Sequence, residues 1–131
     1  MRHIVTNKEF GKNLEKRSRQ FVVKVVRLSA SLPDTPEARV IRYQLTKSAS
    51  SIGANYYEAN RSRSNNDFIH KVKICESEAN ETIFWLTILV ELNWEVESTL
   101  LFELKNEAKE LIAIFTSVGR SMKKKIKEGK G

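Results

Sequence analysis

The amino-acid sequence predicts an all-α fold: one domain over residues 1–131, built as an antiparallel up-down-up-down four-helix bundle. Three observations predict it. Four long segments repeat apolar residues at steps of three and four, the period of a helix with one buried face. Only a few residues join one segment to the next, so consecutive helices must pack as neighbours that run in opposite directions. The 131 residues include 5 glycines and 2 prolines, too few for the turn about every 8–12 residues that an all-β sandwich or barrel demands. A chain of this length holds one core and needs neither a disulfide nor a metal to fold.

The first helix is predicted over about residues 8–32, with Phe10, Leu14, Ser18, Phe21, Val25, Leu28 and Leu32 on one face. Pro33 ends it, because proline disfavours the helical conformation of the residue before it. The second, over about 36–63, has the plainest start signal in the chain: Thr35 as cap, Pro36 at the first helical position, Glu37 at the positive helix end. Its stripe is Ile41, Leu45, Ser48, Ile52, Tyr56 and Ala59. Gly53 inside this helix costs about 1 kcal/mol relative to alanine. Close approach of another helix, within the bundle or between subunits, is the expected reason, and Ser48-Ala49-Ser50-Ser51 is small for the same reason.

Asn65 or Asn66 is expected to cap the third helix, over about 66–92, with Phe68, Val72, Cys75, Ala79, Thr82, Leu86 and Leu89 on its stripe. Ile69, Ile83, Phe84, Trp85, Ile88 and Val90 lie off that stripe, so the second half of the helix is apolar nearly all round. Four helices leave no fifth to cover the outer surface. Ile83, Phe84, Trp85, Ile88 and the nearby Trp94 are therefore the expected contact between subunits. Ser98 is the expected cap of the fourth helix, over about 98–126, whose stripe is the heptad-regular Leu101, Leu104, Ala108, Leu111, Phe115, Val118 and Met122. The lysines that follow suit the negative end of the helix dipole.

Charge is unevenly placed. The net charge of +7 divides into +8 over residues 1–63, −6 over residues 64–119 and +5 over residues 120–131. Such asymmetry suggests an anionic partner for the basic parts. A plainer reading is that the basic first half complements the acidic second half inside one bundle. The single cysteine, Cys75, excludes an intramolecular disulfide and a cysteine-based zinc cluster, and its apolar surroundings mark it as a core side chain. No N-terminal apolar region and no apolar run near 18 residues is present, so a cytoplasmic protein without a membrane span is expected.

Catalytic machinery is not visible, and a non-enzymatic protein with no cofactor, metal or small-molecule substrate is expected. There is no Gly-rich phosphate loop, and the Glu-x-x-His pairs of a di-metal bundle are missing. His3 lies near the terminus, and His70 is a lone imidazole five residues from Cys75, near the wrong helical face to activate it. Ser48, Ser50 and Ser51 have no adjacent base. Asn55, Glu58, Glu78 and Glu81 are polar within core-like stretches, with Arg61 and Arg63 close by. A structural ion-pair network that fixes helix register is the plainer account, because buried carboxylates require a partner and arginine's fork fits both oxygens. A small-molecule site is the sharper one.

For nucleic acid, the candidates are basic helix faces. Arg17, Arg19, Lys24 and Arg27 lie on the first helix, with Lys12 and Lys16 nearby. Arg39, Arg42 and Lys47 lie on the second, Arg61 and Arg63 follow it, and Lys123, Lys124 and Lys125 form a basic tail. Phosphate contacts by such residues are salt-sensitive and weakly selective. No stacking platform of alternating aromatics and arginines is expected, and solvated basic faces are an equal alternative.

The segment Gln44 to Ala59, with Ser62-Arg63-Ser64, Asp67-Phe68-Ile69 and Lys73 to Leu86, resembles a bacterial family: the four-helix bundle proteins encoded in intervening sequences of large-subunit (23S) ribosomal RNA genes, which are ribosomal-protein-like. Phe21-Val22-Val23 and Leu32-Pro33 fit it too, and the resemblance covers nearly the whole chain. It implies that the bundle is the protomer of a ring-like homo-oligomer, a pentamer. A distant branch, accessory proteins of diversity-generating retroelements, is similar in fold and basic, and implies association with nucleic acid. The family's motif residues match at Gly53, Asn55, Glu58, Arg61, Ser64 and Glu81, with structural roles expected. The leading expectation is therefore an RNA-associated oligomer held to ribosomal RNA or another nucleic acid by basic helix faces. Its alternative is a self-assembling protein-interaction scaffold that binds no nucleic acid.

Overall fold

The computed structural model describes residues 7–129, which form four helices and no strand: α1 (Asn7–Ala30), α2 (Pro36–Ala59), α3 (Asn65–Leu92) and α4 (Ser98–Lys127). His3, Lys130 and Gly131 lie outside the described residues. Local chemistry sets most of the boundaries. The Thr35 hydroxyl accepts a hydrogen bond from the Ala38 amide at 3.1 Å, and Pro36 opens α2. α3 begins one residue earlier than its asparagines suggest, because Ser64 is the cap: extended at φ −146°, it accepts from the Asp67 amide at 3.1 Å. Asn93, left-handed at φ 53°, ends α3.

The other ends differ from expectation for similar reasons. α1 stops at Ala30 because the Ser31 and Leu32 amides turn back to the carbonyls of Leu28 and Ser29, at 3.0 and 3.2 Å. α2 stops at Ala59, four residues short of expectation, as the Arg61 and Ser62 amides tighten onto Glu58 and Ala59. Ser98 is the first helical residue of α4 and does not cap it. Glu97 holds the cap position without a side-chain hydrogen bond.

One hydrophobic cluster takes residues from all four helices. Phe21, Val25, Leu45, Ile52, Tyr56, Val72, Leu86, Leu89, Leu111 and Phe115 are almost wholly buried. Each such side chain contributes about 1.5–3 kcal/mol by leaving water. Polar groups mark the seams. The Ser48 and Thr82 hydroxyls meet at 2.9 Å between α2 and α3, and the Cys75 thiol donates to the Ile52 carbonyl at 3.5 Å. Gly53 is the closest approach of α1 and α2: an added Cβ would lie 2.8 Å from Cγ2 of Val22. Gly119 faces Val72 across the α3–α4 seam with room to spare, at 3.8 Å. Packing is lightest between α1 and α4.

Three stripes depart from the predicted pattern at their ends. Phe10 is 44% exposed, because α2 ends opposite Gly11, where the Asn60 amide nitrogen donates to the Gly11 carbonyl, and leaves nothing to cover the next turn. Ile69 is buried at the start of α3 while Phe68 is half-buried. Near the end of α4, Gly119 takes the buried position, and Val118 and Met122 are half-buried.

A candidate nucleic-acid interface along α1

α1 sends cations to two grooves, one shared with α4 and one with α2. In the α4 groove Arg17 is already engaged. Its Nε and Nη2 donate to the two carboxylate oxygens of Glu107 at 2.8 and 2.7 Å, and Glu110 lies 3.5 Å away. This fork holds the guanidinium pKa above its ordinary value, with partial burial working the other way. Lys24 lines the same groove beside Glu103, Glu107 and Glu110.

The α2 groove is different. Three adjoining clefts form it. The first runs between Val26 of α1 and Arg39, Arg42, Tyr43 and Lys47 of α2; the next shares Ser50 and lies over Gly53, Ala54 and Tyr57; the third shares Glu15 and Arg19 and continues to Lys8, Lys12, Lys16 and Arg61. The cause is a second helical stripe on α2, Val40, Tyr43, Lys47, Ser50, Ala54 and Tyr57, repeating at three and four on the face away from the core, with Arg61 in the turn just beyond the helix. Small residues at its centre let α1 come close and leave a trough.

Electrostatics separate the two grooves. Glu15 is the one carboxylate that lines the α2 groove, and it accepts from Arg61 at 2.8 Å and Asn60 at 3.1 Å. The Arg61 guanidinium holds the Glu15 carboxyl below its ordinary pKa, although burial raises it. Lys12, Lys16, Arg19 and Lys47 make no ion pair among the described residues. Arg39 pairs with Asp34 at 3.3 Å, with both groups well exposed, and Arg42 donates to the Pro33 carbonyl at 3.5 Å.

Two aromatic rings lie in the trough, contrary to the expectation of no stacking platform. Tyr43 is 62% exposed with the Lys47 ammonium 5.8 Å from its centroid. Tyr57 is 51% exposed with the Arg61 guanidinium stacked 3.6 Å from its centroid. The signal is present in the sequence as Tyr-x-x-x-Lys within α2 and Tyr-x-x-x-Arg at its end, each pair four residues apart.

The remaining predicted cations are scattered. Arg27 is exposed outside both grooves, and Arg63 is exposed between α2 and α3. Lys123, Lys124 and Lys125 are exposed on the last turns of α4. There Lys73 of α3 sits beside Lys123 and depresses its pKa, with Arg120 adding to the effect.

Of the motif residues, Glu58 and Arg61 link neighbouring helices, while Asn55 and Glu81 bond within their own, and none forms a buried network. The Asn55 amide donates within α2 to the Ser51 carbonyl and hydroxyl, at 2.8 and 2.9 Å. Glu58 is exposed and pairs with Lys71 of α3 at 3.6 Å, while Arg61 pairs with Glu15 instead. Glu81 is exposed and accepts from the Trp85 indole at 3.4 Å. The expected burial of these carboxylates is not seen, because each points off its core stripe.

Ile83, Trp85, Ile88 and Trp94 are half-buried against the core of their own chain. Among those five candidate interface residues, Phe84 alone is largely exposed, at 53% and edge-on to Trp85 at 4.9 Å. Burial pushes the Cys75 thiol up to about 12, which makes it a poor nucleophile. Among the described residues no group of three His, Cys, Asp or Glu side chains is arranged to hold a metal ion. Among the described residues no helix is long and apolar enough to cross a membrane.

The model of the 23S rRNA-intervening sequence protein family matches residues 13–117. Among solved structures, a 1.70 Å crystal structure of a protein with unknown function from the S23 ribosomal protein family of Bacteroides thetaiotaomicron VPI-5482 is 30% identical. The match covers 84% of this chain and 97% of that one, with a TM-score of 0.76. No curated protein matches the chain. The chain belongs to the 23S rRNA-intervening sequence protein family.

Proposed function

We propose that this family member is a non-enzymatic, RNA-associated protein that holds RNA along the groove between α1 and α2. One observation carries the reading. The groove's lining sets eight cations, Lys8, Lys12, Lys16, Arg19, Arg39, Arg42, Lys47 and Arg61, against the single carboxylate of Glu15. Arg61 pairs with Glu15 and Arg39 with Asp34; the cations left without carboxylates keep a counterion shell, and a phosphate backbone that displaces it gains free energy from the release.

The architecture behind it is an antiparallel four-helix bundle. Contacts at matched ends support this: Gly11 meets Asn60 while Ser29 meets Arg42, and Glu58 meets Lys71 while Ser48 meets Thr82. This bundle is the protomer of a ring-like homo-oligomer of five copies, working in the cytoplasm. The exposure of Phe84, Val90, Leu92 and Phe102 supports self-association, since large apolar side chains left in water favour a partner. Those same residues favour the second reading, a self-assembling scaffold that binds no nucleic acid.

A filter-binding titration against structured RNA at about 50 and 200 mM salt separates the two. RNA association predicts affinity that falls steeply with salt, with a log–log slope of about −0.7 to −0.9 per phosphate contacted. Absence of binding at the lower salt contradicts it. Light scattering that returns a mass near 15.1 kDa removes the ring.

A further inference from the structure

We propose that the α1–α2 groove selects single-stranded RNA over duplex, with bases stacked at Tyr43 and on the Tyr57–Arg61 platform; this rests on the RNA-associated reading above. Phosphate attraction alone requires cations and no aromatic rings. This groove exposes two tyrosines, each with a cation over its ring. Stacking on an exposed ring or guanidinium plane requires a splayed base, which a single strand presents and a duplex hides inside its stack.

The geometry fits such a strand. Tyr43 and Tyr57 are fourteen residues apart on one helix face, a separation of about 21 Å at 1.5 Å per residue. Between them Ser50 and Ala54 keep the floor low, so a backbone can pass without meeting a bulky side chain. Arg61 is held in place before any ligand arrives: it donates to Glu15 and to the Tyr57 carbonyl, both at 2.8 Å, while its guanidinium carbon lies over the Tyr57 ring, 3.6 Å from the centroid. A guanidinium fixed in that way loses little freedom when a base stacks on its outer face. Lys47 differs, being a flexible ammonium beside Tyr43, suited to the phosphate next to a stacked base. Arg19, unpaired and opposite Tyr57, lies across the groove for a second phosphate.

The test is fluorescence anisotropy with the full chain and three probes of equal length, about 12 nucleotides, within the ~4–16 typical of single-strand sites. The probes are an unstructured single-stranded RNA, an abasic strand with the same backbone, and a duplex. The expected result is single-strand affinity roughly a hundredfold above the abasic strand, which loses both stacks, and at least roughly tenfold above the duplex. Tyr43→Leu and Tyr57→Leu each lower it roughly tenfold without changing the salt slope, and the phenylalanine variants bind like the wild type. Lys47→Gln weakens the single and abasic strands alike and makes the slope shallower by about one phosphate's worth.

Leucine variants that bind like the wild type, or abasic and duplex probes that bind as well as the single strand, overturn this proposal and leave the RNA reading standing. No binding of any probe at low salt overturns the RNA reading itself. Polyglutamate bound in preference to RNA assigns the groove to acidic protein. A change of mass on light scattering in the leucine variants assigns it to contact between copies. Either overturns the proposal. Both tyrosines are more than half exposed, so the variants should fold like the wild type, which circular dichroism checks.

Discussion

On the side of α1 that faces α4, Arg17 and Lys24 lie among Glu103, Glu107 and Glu110; on the side that faces α2, Lys12, Lys16 and Arg19 share Glu15, which Arg61 already occupies. The same helix therefore carries Arg17, spent on holding its own chain together, and Lys12, Lys16 and Arg19, left for something else. A balance of +8 over residues 1–63 does not distinguish them. The α4 side lies against the acidic stretch of the chain, so its cations meet carboxylates. On the α2 side, α2 brings more cations and two tyrosines, so among the described residues only Arg61 and Arg39 meet carboxylates, those of Glu15 and Asp34.

The largest expected effect comes from reversing charge on the open side. Arg19→Glu combined with Lys47→Glu should lower RNA affinity at least a hundredfold, about 2.8 kcal/mol, in the filter-binding titration. Arg17→Gln should leave that affinity within a factor of two.

The seam that shapes the trough gives the next effect. Gly53→Ala forces a methyl into Val22 and should destabilise the protein by about 1–2 kcal/mol in urea, because overpacking at ~1–3 kcal/mol outweighs the helix-propensity gain of ~1. Adding Val22→Ala should restore most of the loss. Gly119→Ala meets only ordinary contact at 3.8 Å and should stabilise by about 0.5–1 kcal/mol. If both alanines act alike, close approach at the α1–α2 seam is not what requires Gly53.

A smaller effect sits on the closed side. Arg17→Gln should cost under about 1 kcal/mol of stability, since its pair with Glu107 is partly solvated. The smallest is a pH effect at Glu15. Its folded pKa lies below the ordinary 4.5, chiefly through Arg61, so the unfolded chain takes up the proton first. The contribution of the pair is complete at neutral pH and fades as pH falls through 4.5 and below. The urea midpoint of wild type should therefore drop more between pH 7 and acid than that of Glu15→Gln, and parallel curves would mean that the pair adds nothing to stability.

Much of the fold is legible in the sequence because burial writes itself as a repeat of three and four. The core stripes of α2 and α3, Leu45 to Ala59 and Val72 to Leu89, are buried as that spacing predicts. The ends are less legible. Asn65 and Ser64 are both good caps by type, and only the extended backbone of Ser64 decides between them. Of the site, the residue types are visible in the sequence and their pairing is not. Arg17 and Arg19 look equivalent there, yet two residues rotate one to Glu107 and leave the other in the trough. Tyr43 and Tyr57 are hard to single out because an outward stripe of mixed chemistry has no single apolar signature. Ile83, Trp85 and Ile88 read as an interface from their apolar surroundings in the sequence, and the structure adds that each is also packed against the core of its own chain.

The central claim is that RNA is held by the α2 side of α1 and not by its α4 side. Its most direct test is the slope of log affinity against log salt for three proteins: the wild type, Lys12→Gln/Lys16→Gln/Arg19→Gln, and Arg17→Gln/Lys24→Gln. The expected slope is shallower by about 2 in the first variant, at ~0.7–0.9 for each phosphate no longer held, and unchanged in the second. Equal slopes in all three proteins, or a shallower slope confined to the second variant, would contradict the claim.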